Sequence, residues 1–161
     1  MAVIKIGIAD LNVASGSDVL RTAGLGSCVG VTLYDESTKI GGMVHVMLPE
    51  SPKNKSGYKK AKYADTGIPE LISKMEEKGC NKSKLVAKIA GGAQMFSFSG
   101  EESKLLKIGE RNAKACRDIL GAHKIKILAD DTGGSYGRTI ELYCETGKLM
   151  IKTVKEGVQE V

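Results

Sequence analysis

The chain has 161 residues, of which 42% are hydrophobic and 27% are charged, and its formal net charge is +5. This length suits one globular domain, so we expect a single domain over residues 1–161. Aromatic residues make up only 4%, and no basic stripe is interleaved with them, which argues against a stacking platform for nucleic-acid bases. The mild basic excess favours an acidic partner.

The cysteines and histidines are too scattered to predict a metal site. There are four cysteines and two histidines, and no Cys-x-x-Cys pair occurs. The adjacent carboxylates Asp130 and Asp131 are a weak sign of a divalent-cation site. The N-terminus, Met1–Ile8, is too short and interrupted for a signal peptide, and no apolar run approaches the roughly 20 residues of a membrane span. We therefore predict a cytoplasmic protein with reduced thiols, no membrane insertion, no nucleic-acid partner, and no metal or cofactor.

Three strands are predicted in the first third of the chain. Residues Val3–Ala9 and Val29–Tyr34 alternate apolar with small or polar side chains, and Gly42–Leu48 resembles a largely buried strand. The polar turn Asp35–Lys39 can join the last two as a hairpin. The segment Ser51–Lys62 contains five lysines and predicts a solvated loop.

The middle of the chain alternates between helix and strand. Apolar residues at helical spacing predict a helix that begins at Asp65 or Thr66 and ends at about Lys78. A strand is predicted at Leu85–Ala90, and a long loop at Ala93–Lys107 follows it.

The last third begins with a second helix and ends with strands. The helix is predicted at Glu110–Ala122, and strands at Ile125–Ala129, Arg138–Cys144 and Leu149–Val154. Residues Asp130–Gly134 are predicted to form a loop. The order β-β-β-α-β-α-β-β-β indicates an α+β fold, a layered α/β sandwich with mixed or antiparallel strands and two main helices.

The most informative candidate for chemistry is Cys28, which ends the glycine-serine turn Gly24–Cys28 and precedes an apolar strand. In a hairpin through Asp35–Lys39, Cys28 falls opposite Val46 or His45. Directly opposed residues have Cβ atoms roughly 4.5–5.5 Å apart, within reach of a thiol–imidazole contact. A thiol beside an imidazole is the minimum requirement for cysteine nucleophilic catalysis.

Each candidate also has a structural alternative. A free cysteine is usually a small buried hydrophobe, which suits Cys116 and Cys144, and Cys80 is expected to be a boundary residue beside the helix end at Gly79. Cys28 differs, because its neighbours are glycine and serine. A histidine in an apolar strand is more often a core residue than a catalyst, and this alternative stays open for His45. Backbone N–H groups of a glycine turn can also bind an oxyanion, which makes Gly26 and Ser27 candidates for that role.

Six blocks of residues extend over most of the chain and carry a family resemblance when taken together. In chain order they are Gly24–Val29, Val44–Pro49, Lys62–Asp65, Lys88–Phe96, Ile108–Asn112 and Asp131–Gly134. Each block alone is a weak signal. Together they specifically resemble the chemoreceptor glutamine deamidases, the CheD family.

This resemblance implies a reaction and a set of site residues. The family converts glutamine side chains of methyl-accepting chemotaxis receptors to glutamate through a cysteine thioester, and receptor methylesterase activity is also attributed to it. Its catalytic cysteine, histidine and threonine match Cys28, His45 and Thr22. The resemblance also implies a layered α/β fold and a CheC-type phosphatase as a partner. The loop Ser97–Lys107 is longer than in some relatives, which leaves the CheC contact in doubt.

Two other function classes remain open at this point. A cysteine protease or amidase would use the same thiol and imidazole to cut peptide bonds. A non-catalytic regulatory module would bind receptors and the CheC phosphatase without needing Cys28. Neither alternative is excluded by the residues alone.

Overall fold

The protein is a layered α+β sandwich, as predicted. The computed structural model describes residues 1–95 and 107–161, so most of the predicted loop Ala93–Lys107, including Ser97–Lys107 except for its last residue, lies outside the described residues. In this part of the chain, two five-stranded sheets pack against each other and two α-helices cover the outer face of one of them. None of the described helices is long and apolar enough to cross a membrane.

The first sheet contains strands from both ends of the chain. Its order is β1-β3-β8-β9-β10, with β1 at Val3–Lys5, β3 at Val19–Leu25, β8 at Arg138–Tyr143, β9 at Leu149–Thr153 and β10 at Gly157–Glu160. Strands β1 and β3 pair in parallel, and the other neighbours pair antiparallel.

The second sheet lies between the first sheet and the helices. Its order is β2-β5-β4-β6-β7, with β2 at Leu11–Ser15, β4 at Val29–Asp35, β5 at Ile40–Val46, β6 at Val86–Gly91 and β7 at Lys126–Thr132. Strands β4 and β6 are antiparallel, and β6 and β7 are parallel. Side chains alternate between the two faces, so one face contacts the helices and the other contacts the first sheet.

The two predicted helices are confirmed to within about two residues. Helix α1 spans Ala64–Glu77 and helix α2 spans Ile108–Ala122. Both place an apolar stripe against the second sheet, where the fully buried residues include Leu71, Met75 and Cys116. Short 3-10 turns precede β6 and α1.

Three strands were not predicted, because each has a weak apolar pattern. Strand β2 is an edge strand with one buried residue, β10 is exposed along its whole length, and β3 contains Arg21, Thr22 and Gly24. The prediction of a strand over Val3–Ala9 was too long, since β1 ends at Lys5. The predicted loop Asp130–Gly134 begins too early, because β7 continues to Thr132 and only Gly133 and Gly134 lie beyond the strand.

The predicted hairpin between β4 and β5 is confirmed, but its predicted register is wrong. Gly30 pairs with His45 and Val29 pairs with Val46, so the same spacing sets Cys28 opposite Met47. Because side chains alternate, Cys28 still shares a face with Gly30 and therefore with His45. Cys28 and His45 are thus diagonal neighbours on the face that contacts the first sheet, where opposite-strand diagonals lie roughly 7–8 Å apart.

Candidate active site

The turn that carries Cys28 crosses from one sheet to the other. Residues 26–28 connect β3 of the first sheet to β4 of the second, and Gly24 has φ of 72°, a conformation that favours glycine. Because the chain changes sheets here, Cys28 lies at the end of the layer between them. Its side chain packs against the inter-sheet cluster and is half-buried.

Thr22 on β3 and His45 on β5 form a hydrogen bond that connects the two sheets. Both are buried, at 1% and 0% exposure, and Thr22 Oγ1 lies 2.7 Å from His45 Nδ1. Thr22 Oγ1 also donates to the carbonyl of Ile6 at 2.8 Å. A hydroxyl has one proton to donate, so Nδ1–H of His45 must be the donor in the first bond. The neutral imidazole therefore has its free lone pair on Nε2.

The backbone of His45 is held by the segment that follows β1. His45 N–H donates to the carbonyl of Asp10 at 3.0 Å, and Ala9 N–H donates to the carbonyl of His45 at the same distance. With the Thr22 contact, this fixes both the main chain and the ring of His45. The residues that orient the imidazole thus come from the first 22 positions of the chain.

His45 Nε2 is buried and has no hydrogen-bond partner in the described part of the chain. Burial lowers the pKa of His45 from 6.5 to about 4, because the charged imidazolium is poorly solvated there. Burial also raises the pKa of the Cys28 thiol, although its own backbone N–H partly offsets this. The favoured resting state is therefore a neutral thiol beside a neutral imidazole.

The two predicted oxyanion donors differ in their availability. Gly26 N–H already donates to the carbonyl of Gly24 at 3.0 Å within the turn. Ser27 N–H has no acceptor among the described residues, and neither has Cys28 N–H, which lies beside its own thiol. The geometry thus favours Ser27 and Cys28 over Gly26 as donors to a developing oxyanion.

The pair Gly91-Gly92 supports the Cys28 turn through main-chain contacts. Gly92 N–H donates to the carbonyl of Cys28 at 2.8 Å, and Ala93 N–H donates to the carbonyl of Gly26 at 2.9 Å. Gly91 has φ of 115°, and a Cβ atom added there would collide with the carbonyl of Cys28. A side chain at position 91 would therefore displace the turn.

Two buried polar residues beside the turn were missed by sequence reasoning. Asn112 on α2 donates from Nδ2 to the carbonyls of Ser27, at 3.0 Å, and Met47, at 2.9 Å. A signal was available, since Asn112 is a polar residue four positions before Cys116 on the buried face of the helix.

The second missed residue is Arg138, the first residue of β8. It is 3% exposed and donates from Nη1 to the carbonyl of Gly91 at 3.3 Å. Its Nη2 lies 3.3 Å from Asp131 Oδ1, and its guanidinium stacks over the ring of Tyr136. Arg138 therefore supports the Gly91-Gly92 pair from the side of the first sheet.

The carboxylates considered for a divalent cation are engaged with arginines. Asp130 Oδ2 lies 2.7 Å from Arg117 Nε, and Asp131 contacts Arg138. Residues 1–95 and 107–161 contain no group of three or more His, Cys, Asp or Glu side chains that could hold a metal ion. The described residues around Cys28 supply a thiol, the His45 imidazole and amide groups.

Comparison with known proteins identifies the family of this chain. Residues 47–153 match the family described as CheD chemotactic sensory transduction. The chain is 52% identical to the probable chemoreceptor glutamine deamidase CheD of Syntrophomonas wolfei, over 96% of each chain. It is 48% identical to the chemoreceptor glutamine deamidase CheD of Bacillus subtilis, over 99% of this chain and 96% of that one.

A more distant likeness concerns the fold alone. The crystal structure of protein NMB0706 of Neisseria meningitidis, from the family DUF152, superimposes with a TM-score of 0.52 at 11% sequence identity. The match covers 84% of this chain and 65% of that one. The sequence relatives are much closer and span the chain almost completely, so the chain belongs to the CheD family.

Proposed function

We propose that this protein deamidates glutamine side chains of methyl-accepting chemotaxis receptors, with Cys28 as nucleophile, His45 as base and Thr22 as the residue that orients the imidazole. The observation that carries the proposal is the buried Thr22–His45 bond, which leaves Nε2 free on the face that also bears Cys28. The printed names of the relatives supply the substrate class.

In the first step, the Cys28 thiol attacks the carbonyl carbon of the glutamine carboxamide. The proton on Sγ passes to His45 Nε2 as the C–S bond forms, and the N–H groups of Ser27 and Cys28 stabilise the oxyanion. His45 then returns the proton to the departing nitrogen. Ammonia leaves, and the side chain is held as a thioester on Cys28.

In the second step, a water molecule hydrolyses the thioester. His45 Nε2 takes a proton from the water as its oxygen attacks the carbonyl carbon, and the proton is then given to the departing Cys28 thiolate. The products are a glutamate side chain and the free thiol. A receptor glutamate methyl ester would react in the same way, with methanol as the leaving group, which extends the proposal to methylesterase activity.

The directions of the two pKa shifts support a neutral starting state over an ion pair. The pKa of His45 is lowered to about 4 and that of Cys28 is raised, so proton transfer at rest is unfavourable. Thr22 favours the same state, because it accepts from Nδ1–H and leaves Nε2 unprotonated. The proton therefore moves during the attack on the carbonyl carbon.

The proposal extends to location and partners. We place the reaction in the cytoplasm, the compartment expected for a protein whose cysteines are all free thiols. A CheC-type phosphatase is proposed as a further partner on the basis of the family resemblance. The net charge of +5 supports approach to an acidic protein surface, with an effect that weakens as salt is added.

The direct test is mass spectrometry of receptor incubated with the wild type, Cys28→Ala and His45→Ala. The wild type should add about 1 Da at each modified glutamine, and both variants should leave the glutamines unchanged. Receptor fragments instead of this mass gain would indicate a protease. Undiminished deamidation by Cys28→Ala would overturn the proposed nucleophile and favour the non-catalytic regulatory module.

A further inference from the structure

Asn112 is the helix residue that links the Cys28 turn to the strand that carries His45. It lies on α2 with 0% exposure. Its two Nδ2 protons are donated to two different segments, one to the carbonyl of Ser27 and one to the carbonyl of Met47. One side chain thus contacts the residue before the proposed nucleophile and a residue just beyond β5.

These two hydrogen bonds lie where the sheet no longer holds the segments together. The ladder between β4 and β5 ends at the pair Val29–Val46. Beyond it the chains separate, since Met47 N–H donates to the carbonyl of Lys62 and the Cys28 carbonyl accepts from Gly92. The Asn112 amide therefore connects the two segments next to Cys28, where the backbone hydrogen bonds between β4 and β5 have ended.

The other end of the Asn112 amide is unsatisfied, which is costly. Its Oδ1 is buried and has no hydrogen-bond partner among the described residues. A buried acceptor without a partner destabilises the fold, and the other buried residues on this face of helix α2 are glycine or apolar. Within residues 1–95 and 107–161, Arg138 Nε and His45 Nε2 are also buried without a hydrogen-bond partner. Buried polar groups that break the packing rules are expected at functional sites.

Building on the proposed function, we propose that Asn112 is a positioning residue that holds the Cys28 thiol at reaction distance from His45 Nε2. It does so through main-chain carbonyls on either side of the gap and does not touch the substrate. Removing the amide frees the turn to move away from β5. A displacement of about 1 Å in a reactive pair can lower the rate by about 10²-fold.

The first experiment measures kcat and KM for receptor deamidation by Asn112→Ala and Asn112→Asp. The aspartate keeps the shape of the side chain, but its carboxylate cannot donate to the two carbonyls. We expect kcat to fall about 10²-fold in both variants, with KM within about threefold of the wild type. As the pH falls, the protonated aspartate regains one donor, so Asn112→Asp should recover relative to Asn112→Ala.

Matched controls separate positioning from general stability. Thr32→Val removes another buried side-chain bond to a strand carbonyl, from Oγ1 to Lys88 at 2.9 Å, and Cys116→Ala opens space one turn along α2. Both should lower the thermal stability while leaving kcat within about threefold of the wild type. The positioning role is overturned if Asn112→Asp retains wild-type kcat, or if the controls lose as much kcat as the Asn112 variants.

A double-mutant cycle tests the inference without a receptor. Cys28 is alkylated with iodoacetamide in the wild type, Asn112→Asp, His45→Ala and the double variant, and peptide mapping follows the rate at Cys28. If Asn112 acts by setting the thiol–imidazole geometry, its substitution should change the rate severalfold with His45 present and less than about twofold without it. Equal effects in both backgrounds would refute the inference.

The two proposals fail in different ways. A wild type that alkylates as expected but deamidates no receptor glutamine would refute the proposed function alone. Full deamidation by the wild type and by Asn112→Asp would refute only the role of Asn112.

Discussion

The layer between the two sheets has a cysteine at each end, and the two ends are built differently. Cys28 and Cys144 belong to the same apolar cluster. Cys144 is fully buried, its N–H donates to the carbonyl of Asp18, and its own carbonyl accepts from Tyr34 Oη at 2.6 Å. Cys28 is half-exposed at a glycine turn and has His45 on the same face.

Neither thiol is made more acidic by its surroundings. Burial raises the pKa of Cys144 to about 11 and also raises that of Cys28. The surroundings differ: the Cys28 end has a glycine turn, His45 with a free lone pair on Nε2, and N–H groups of Ser27 and Cys28 that have no acceptor among the described residues. If Cys28 is the nucleophile, as proposed, its reactivity depends on these neighbours and on access to the thiol, since burial disfavours the thiolate at rest.

Replacing each cysteine by alanine in turn tests this comparison, and Cys28→Ala should lower the activity more than any other variant. Cys28→Ala should lower the deamidation rate by at least about 10³-fold, because the nucleophile is lost. Cys144→Ala should keep the rate within about threefold and lower the free energy of unfolding by about 1 kcal/mol. The measurements are receptor deamidation by mass spectrometry and urea unfolding. If a folded Cys144→Ala variant loses deamidation activity, the assignment of the reaction to Cys28 and not Cys144 is wrong.

Replacing the base should have the next largest effect. His45→Gln should lower kcat by about 10²–10⁴-fold, the usual contribution of a general base. The matched change at the other end is Tyr34→Phe, which removes the bond to Cys144 and should leave kcat unchanged. Steady-state kinetics on receptor substrate provides the measurement. A His45→Gln enzyme with near wild-type kcat would assign the histidine to the core.

The orienting threonine should contribute less than the base. Thr22→Val cannot accept from His45 Nδ1–H or donate to Ile6, so the ring loses its fixed tautomer and we expect about a tenfold fall in kcat. Thr22→Ser keeps the hydroxyl and should retain most of the activity. Equal activity of the valine and serine variants in the same kinetic assay would show that the hydroxyl has no orienting role.

The pH dependence sharpens the account of the neutral pair. Burial lowers the pKa of His45 from 6.5 to about 4, so the folded protein disfavours the charged imidazole. The corresponding stability is fully present above pH 6.5 and is lost as the pH falls from 6.5 through about 4. The change is on the order of 3 kcal/mol. Urea unfolding of the wild type and His45→Gln between pH 7.5 and about pH 4 should show this loss in the wild type only.

The change in stability should be least at the Cys144 end of the layer between the sheets. Tyr34→Phe should lower the free energy of unfolding by about 1 kcal/mol, because the carbonyl of Cys144 loses its buried donor. Thermal or urea unfolding measures the change. A Tyr34→Phe variant that is more stable than the wild type would mean that this hydrogen bond does not stabilise the fold around Cys144.

Local pattern was enough to predict the helices and the β4–β5 hairpin. Helices α1 and α2 have regular apolar stripes, and the polar turn between β4 and β5 separates two apolar runs. The local sequence pattern did not determine the register of the hairpin, because each strand can slip by one residue without changing the local composition. Strands β2, β3 and β10 were missed since edge positions and a mixed strand leave little periodicity to detect.

The amino-acid sequence was enough to predict the glycine turn that precedes Cys28, the apolar strand that contains His45 and, through the family resemblance, the candidate role of Thr22. The hydrogen-bond partner of each polar atom became known only from the three-dimensional structure. The Thr22–His45 bond spans 23 positions, and the bond from Asn112 to Ser27 spans 85. Periodicity reports which face of an element is buried, whereas the tautomer of His45 and the link made by Asn112 depend on contacts between elements far apart in the chain.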